Sequence, residues 1–334
     1  MSIAETLGVL AHRGGLVVER PELSVGIVRA VARPTGLELE LLARRPLDWR
    51  SASQRQADIH SRRAAPSTAP RRLLPPFDEG EDLRVGWLDH DGRAHWVFGS
   101  RSSSSGDHFE GTHGPSLRTV LHFPPLFDHA SVVLAWPEIG FPETVVELPL
   151  PDRATVERDT VSIWQAPLSV RRAPGSLKHS SGAFSSDDLP VEAGRIVALP
   201  QVLSRGGDAA VVLTRLTALG EALSMETFSV ATGDRADALT ANAFEESRRS
   251  LSSPDDAEHL RARGPGASIA VVHGHDAVWV RPHGVSSNGG RRAFESKAEF
   301  MVTDSATGIL ALVVAWPAAG LPDVHVEIPR LDRR

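Results

Sequence analysis

Histidines and carboxylates are the residues most able to do chemistry here, since the chain carries 14 His and 42 Asp plus Glu but no Cys. Without cysteine neither a thiolate metal site nor a disulfide framework can form, so a metal would have to rest on imidazole and carboxylate. The densest such grouping is His273-x-His275 followed by Asp276. On a strand, the period of two sets both imidazoles on one face, an arrangement that suits zinc or another divalent ion. Earlier in the chain, Asp89-His90-Asp91 with His95 offers a comparable group without the His-x-His. Neither group has a third ligand at a diagnostic spacing. Both therefore read as solvated hairpin residues, and no metal or cofactor is assigned.

Nucleophilic chemistry finds less support. No Gly-x-Ser-x-Gly elbow is present, and the serine run from Ser102 to Ser105 reads as a solvated loop. Neither a dinucleotide fingerprint after a strand nor a phosphate-binding loop occurs. No catalytic residue is assigned.

The elements that would position any site are set by a repeat. Residues 131–152 (SVVLAWPEIGFPETVVELPLPD) and 311–332 (ALVVAWPAAGLPDVHVEIPRLD) align without a gap at an offset of 180. Trp136, Pro137, Gly140 and Pro142 match Trp316, Pro317, Gly320 and Pro322, and Glu147 matches Glu327. A match this long and this rich in Trp, Pro and Gly marks an internal duplication. Of the 334 residues, 1–154 are expected to form a first unit, 155–192 a linker or strap, and 193–334 a second unit.

Strand signals dominate both halves. Leu37, Leu39 and Leu41 alternate with Glu38 and Glu40, which predicts leucines on a buried face and glutamates in water. Leu223, Met225 and Thr227 repeat the alternation at an offset of 186. Val85 and Trp87 precede Asp91-Gly92, and Trp96 and Phe98 follow it, the pattern of a tight hairpin. The Ser/Gly-rich stretches 99–116 and 282–292 read as loops, and residues 236–251 read as a helix. In the repeated motif, Trp-Pro ends a strand and Gly permits a bend. The apolar residue between Gly and Pro, Phe141 or Leu321, predicts an arch that packs back between sheets. Trp136 and Trp316 could line a ligand pocket, but at the end of an apolar strand before Pro they read as core or rim anchors. Strands that follow one another without intervening helices predict a mainly β protein of two tandem antiparallel sandwich-like units, each with a variable, partly helical insertion.

Composition narrows the function classes. A formal net charge of −6 lacks the basic excess of a nucleic-acid binder. No apolar run approaches the ~20 residues that span a bilayer. With no cysteine and no secretion-like leader, the expected compartment is the cytoplasm.

The order of motifs resembles a family of uncharacterised β-rich proteins from high-GC actinobacteria. Thr35-Gly36 precedes an alternating strand, Asp91-Gly92 centres a hairpin, Ser102 to Gly106 forms a Ser/Gly stretch, and Trp136 to Glu143 closes the unit. The second unit keeps the closing motif, Trp316 to Asp323, but has Glu221-Ala222 and Asp276-Ala277 at the other places. The resemblance implies the fold and brings no activity. The expected function is a non-enzymatic binding protein that takes a protein partner through the stretches 99–116 and 282–292 and the variable insertions. A structural or assembly subunit is the alternative, followed by an enzyme with a site between the units.

Overall fold

The computed structural model describes residues 5–46, 53–54, 57, 60–61, 73, 83–97, 99–104, 114–136, 139–181, 194–220, 222–246, 264–303 and 308–331. The protein is mainly β, and its sheets are built almost wholly of antiparallel strands. Among the described residues, no helix is long and apolar enough to cross a membrane.

The chain divides into two compact units. The N-terminal unit is Gly8–Thr160 with Val191–Gly194. The C-terminal unit is Arg195–Arg334 together with Met1–Leu7 and Val161–Pro190. Most of the stretch expected as a strap thus builds the C-terminal unit.

Each unit is a sandwich of two sheets, and strand for strand they share one plan. In the N-terminal unit the larger sheet contains β2 (Val9–His12), β3 (Gly15–Arg20), β4 (Leu23–Arg33), β5 (Gly36–Arg44), β8 (Ser100–Ser104) and β9 (Ser116–Phe123). Its order is β2-β4-β5-β9-β8, and β3 follows β2 along the same edge of β4. The smaller sheet has the order β11-β10-β6-β7, from β6 (Arg84–Leu88), β7 (Ala94–Val97), β10 (His129–Trp136) and β11 (Phe141–Pro149). Leu23, Val25, Leu37, Leu39 and Leu41 from the larger sheet meet Val85, Val132, Leu134 and Leu148 from the smaller one in a single core. The predicted alternation of leucines is therefore the inner face of β5.

The glutamates between those leucines are not in water. Glu40 is 3% exposed, and Glu38 and Glu40 face Arg29, Arg33 and Arg118 on the other side of the sheet. Period alone gives the side of the sheet, and the guanidiniums make burial of these carboxylates tolerable.

In the C-terminal unit the larger sheet runs β15-β17-β18-β22-β21, from β15 (Arg195–Ala198), β17 (Ala209–Leu219), β18 (Ala222–Thr232), β21 (Pro282–Gly290) and β22 (Ala293–Thr303). The strand β16 (Gln201–Arg205) also pairs with β17. A bulge interrupts β17 between Leu213 and Arg215, as one interrupts β4 between Ile27 and Arg29. The smaller sheet has β24-β23-β19-β20 at its centre, from β19 (Ser268–His273), β20 (Asp276–Val280), β23 (Ile309–Trp316) and β24 (Leu321–Pro329). Here the strap adds a strand at each edge: β13 (Arg171–Arg172) pairs antiparallel with β24, and β14 (Lys178–Ser181) pairs parallel with β20.

The strap first crosses the outer face of the larger sheet. Its strand β12 (Val161–Ser162) pairs with β1 (Thr6–Leu7). Ile163 and Ala166 then pack on Val202, Ala210, Val212, Phe228 and Val230, and Arg205 donates to the carbonyls of both strap residues at 2.8 and 3.0 Å.

Two α-helices, of 7 and 14 residues, join these strands. In α1 (Arg153–Asp159), the carboxylate of Asp152 caps the first turn by accepting from the Thr155 N–H at 2.9 Å. The predicted helix is α2 (Gly233–Glu246), which buries Ala236 and Leu239 in the C-terminal core. The rest of its expected span lies outside the described residues, as does most of the first unit's variable stretch, 48–76, of which residues 53–54, 57 and 60–61 are helical.

Candidate functional site

The repeated motif forms a hairpin within one sheet in each unit, which overturns the predicted arch. Trp136 pairs with Phe141 and Trp316 with Leu321 across the turn. Phe141 and Leu321 are apolar because each starts the return strand facing the core, where both are buried. Gly140 and Gly320 hold the turn at φ +83° and +72°, a left-handed conformation that costs a side-chain-bearing residue ~1–2 kcal/mol. Pro317 opens a one-turn 3-10 helix ending at Ala319, and Pro142 and Pro322 are exposed at the second position of each return strand. Pro137 lies outside the described residues.

Both tryptophans are core anchors. Trp136 is 6% and Trp316 1% exposed, and among the described residues neither indole N–H has a hydrogen-bond partner. The Arg45 guanidinium lies 5.6 Å from the Trp136 ring centre, and Phe294 lies against Trp316 at 6.4 Å. Among the described residues, both indoles are packed into the cores of their units.

The hairpin histidines fall differently from their expected place on one strand face. His273 ends β19, Gly274 and His275 form the turn, and Asp276 begins β20, with Asp276 opposite His273. The His275 carbonyl accepts from the Lys178 N–H at 3.0 Å, which ties the turn to the strap. In the N-terminal unit, ligand atoms of Asp89, His90 and Asp91 lie within 4.8 Å of one another. Asp89 is already engaged: it accepts from the Asp91 and Arg93 N–H groups at 2.9 Å each, and its second oxygen lies 2.7 Å from His95 Nε2. The His95 hydrogen bond is the main reason its carboxyl is lowered from 3.8 to about 2, with the backbone donors adding to the effect. His95 stacks on Trp87 with ring centres 4.7 Å apart. This is the framework of a turn.

Sequence reasoning missed the open edges, because it read both Ser/Gly stretches as loops. Ser100–Ser104 is β8, although residues 105–113 lie outside the described residues, and Pro282–Gly290 is β21. Each is the terminal strand of a larger sheet, with only one neighbour among the described residues. Gly and Ser on an edge strand need not alternate with apolar residues, so the usual strand signal is lacking. In β21 the span 284–290 carries no charge and every residue is exposed.

Beside β21, between the two sheets of the C-terminal unit, lies a cleft of ≈ 70 Å³ lined by Pro265, Trp279, Pro282, Val285, Ala298 and Phe300 among others. Small-molecule sites run to ~300–1,000 Å³. This one suits a single small aliphatic side chain, and Val285 at its rim is 50% exposed.

Duplication provides an internal control for this end of the core. Leu41, Ala43 and Leu117 in the N-terminal unit stand where Thr227, Ser229 and Ser296 stand in the C-terminal unit. The Ser229 hydroxyl accepts from the Ala267 N–H at 3.1 Å, while among the described residues the buried hydroxyls of Thr227 and Ser296 have no partner. The cleft thus adjoins the part of the core where the second unit has exchanged apolar packing for hydroxyls.

Buried charge is shared between the copies. Arg29 pairs with Glu38, and Arg215, after the matching bulge, pairs with Glu299, which also accepts from Ser224 at 2.9 Å. Each buried guanidinium has its carboxylate, an arrangement that holds strands in register and exposes no reactive group.

The chain matches no protein-family model and no curated protein. Solved structures similar to it include a conserved domain protein from Bacillus anthracis, at 9% identity over 92% of this chain and 77% of that one, with a TM-score of 0.19. The N-terminal periplasmic domain of ScsB from Proteus mirabilis is similar at 11% identity over 96% and 100%, with a TM-score of 0.23. Bovine butyrophilin is similar at 8% identity over 89% and 93%, with a TM-score of 0.19. At such TM-scores these likenesses carry no argument.

Proposed function

We propose that this chain is a non-enzymatic binding protein of the cytoplasm that takes an extended segment of a protein partner on the β21 edge. The observation that carries the reading is the uncharged, exposed edge itself. Natural sheet edges are guarded by Lys, Pro, a bulge or a covering element. Pro282 and a bulge before Gly284 guard only the start of β21; from Gly284 to Gly290 it carries no charge, and among the described residues no strand pairs with its outer side. An added strand would gain affinity from main-chain hydrogen bonds, and the adjoining cleft would select one small aliphatic side chain.

Placing lysines on the edge tests this. The native chain and a Ser286→Lys/Asn288→Lys variant serve as paired baits for affinity capture and mass spectrometry. Both positions are exposed, so the variant is expected to melt with the native chain. A partner held by the native chain and lost from the variant supports the reading. An identical set on both baits, or nothing above background on either, overturns it.

A further inference from the structure

The C-terminal unit contains a seated example of strand addition whose counterpart site in the N-terminal unit holds no strand among the described residues. There β13 lies on the outer edge of β24, with Arg171 opposite His325 and Arg172 opposite Val324. The Ala173 N–H donates to the Asp323 carbonyl at 3.1 Å, and the Arg171 guanidinium pairs with the Glu327 carboxylate. Its duplicate, β11, is the terminal strand of its sheet, with β10 as its one strand neighbour among the described residues. The 180-residue offset places Thr144, Val145 and Glu147 where β24 has Val324, His325 and Glu327.

Two features of β11 suit an occupant of the same kind. Val145, at the position that Arg171 faces in the copy, is 43% exposed, and so leaves apolar surface in water at the register of pairing. Glu147 is exposed and matches the carboxylate that Arg171 contacts, while Ser131 Oγ donates to it at 2.8 Å and fixes its direction. Toward the other end of the strand, the Glu143 carboxylate accepts from the Leu73 N–H at 3.1 and 3.0 Å. Among the described residues, the stretch without a partner strand is therefore the one from Thr144 onward.

We propose that the β11 edge binds an extended, arginine-bearing peptide segment of a partner protein, antiparallel to β11, with an arginine over Val145 reaching Glu147. The aliphatic stem of the arginine covers Val145 while its guanidinium meets the carboxylate. Main-chain pairing supplies the sequence-independent part of the contact, and Glu147 selects the basic residue. This site belongs to the N-terminal unit and does not rest on β21.

The probe is a synthetic peptide with the sequence of residues 167–176 (PLSVRRAPGS), titrated by fluorescence anisotropy into the full chain. Saturable binding is expected, together with slower amide exchange across 144–148. Glu147→Lys should weaken binding at least 10-fold, and so should a peptide with both arginines replaced by glutamate. Val145→Lys is a second exposed variant with the same expected direction. Glu327→Lys should change the affinity less than twofold, because that carboxylate already has Arg171. Absent saturation, indifference to Glu147→Lys, or equal loss with Glu327→Lys would each overturn the proposal. A dimer seen by light scattering and dispersed by Glu147→Lys would overturn it too, since the edge would then hold a second copy.

Discussion

Asp89 shows how a carboxylate that could serve as a metal ligand is committed to structure instead. Two backbone donors and His95 Nε2 converge on its oxygens and hold its carboxyl at about 2. A folded-state pKa below the ordinary 3.8 favours the folded protein above that pH, and the benefit disappears as pH falls toward 2. Removing the principal donor should raise it. In His95→Ala, the side-chain carboxyl carbon of Asp89, followed by NMR, is expected to titrate nearer to 3.8 than to 2. A midpoint unchanged at about 2 would show that the backbone donors suffice. The same residue marks a boundary of sequence reading. Asp-Gly at 91–92 announced the turn, but nothing in the spacing showed that Asp89 would be consumed by it. Glu38 and Glu40 make the complementary point, since their period placed them correctly opposite the leucines. Their burial depends on arginines at 29, 33 and 118, whose approach is set by strand pairing over long separations.

Elements with a strong local signature were readable. The alternation along β5 and β18, the hairpins around 89–93 and 273–276, and the helix former content of α2 each express a choice made within a few residues. Elements that depend on their neighbours were harder. The apolar residue after Gly140 or Gly320 could face a second sheet or the same one, and only the pairing of Trp136 with Phe141 decides for a hairpin. β8 and β21 escaped for the opposite reason: a rim strand makes few demands on its side chains. The hairpin turn gives a direct measurement. Gly320 sits at φ +72°, where an added Cβ would lie 3.0 Å from the far end of the long, partly exposed Arg235 side chain. Conformation rather than crowding then sets the cost, and Gly320→Ala is expected to lose ~1–2 kcal/mol in urea denaturation. A loss within error would mean that the turn relaxes to another form.

Across the whole molecule, the duplication acts as a comparison within one chain. The two units keep the same strand order, matching bulges and matching hairpin tryptophans. They differ where the strap clips both edges of one smaller sheet and where three hydroxyls enter one core. The repeat itself was plain in the sequence because the closing motif carries Trp, Pro and Gly at fixed spacing. The exchange of segments was not, because a two-residue strand such as β1 has no pattern of its own. Its role can be checked by deletion. Leu7 packs beside Val161 and Trp164 on the strap and is half-buried, so loss of residues 1–7 should cost the C-terminal unit about 1 kcal/mol, around half of the ~1.5–3 kcal/mol for burying a leucine fully. Hydrogen exchange should quicken at Val161 and Ser162 and stay unchanged in β4 and β5. Faster exchange in β4 and β5 as well would show that the segment supports both units.

The pairing of β1 with β12 also imposes an order in time. Leu7 leaves the ribosome long before its partner Val161 exists. At ~5–20 residues per second, the first strand waits roughly 10–30 s for the strap to be made. During that interval β2 through β11 have all been synthesised, so the two sheets of the N-terminal unit can pack together while β1 is still unpaired. Its short length and single leucine then serve a purpose during synthesis: a segment that must wait so long gains from offering little for other exposed strands to hold.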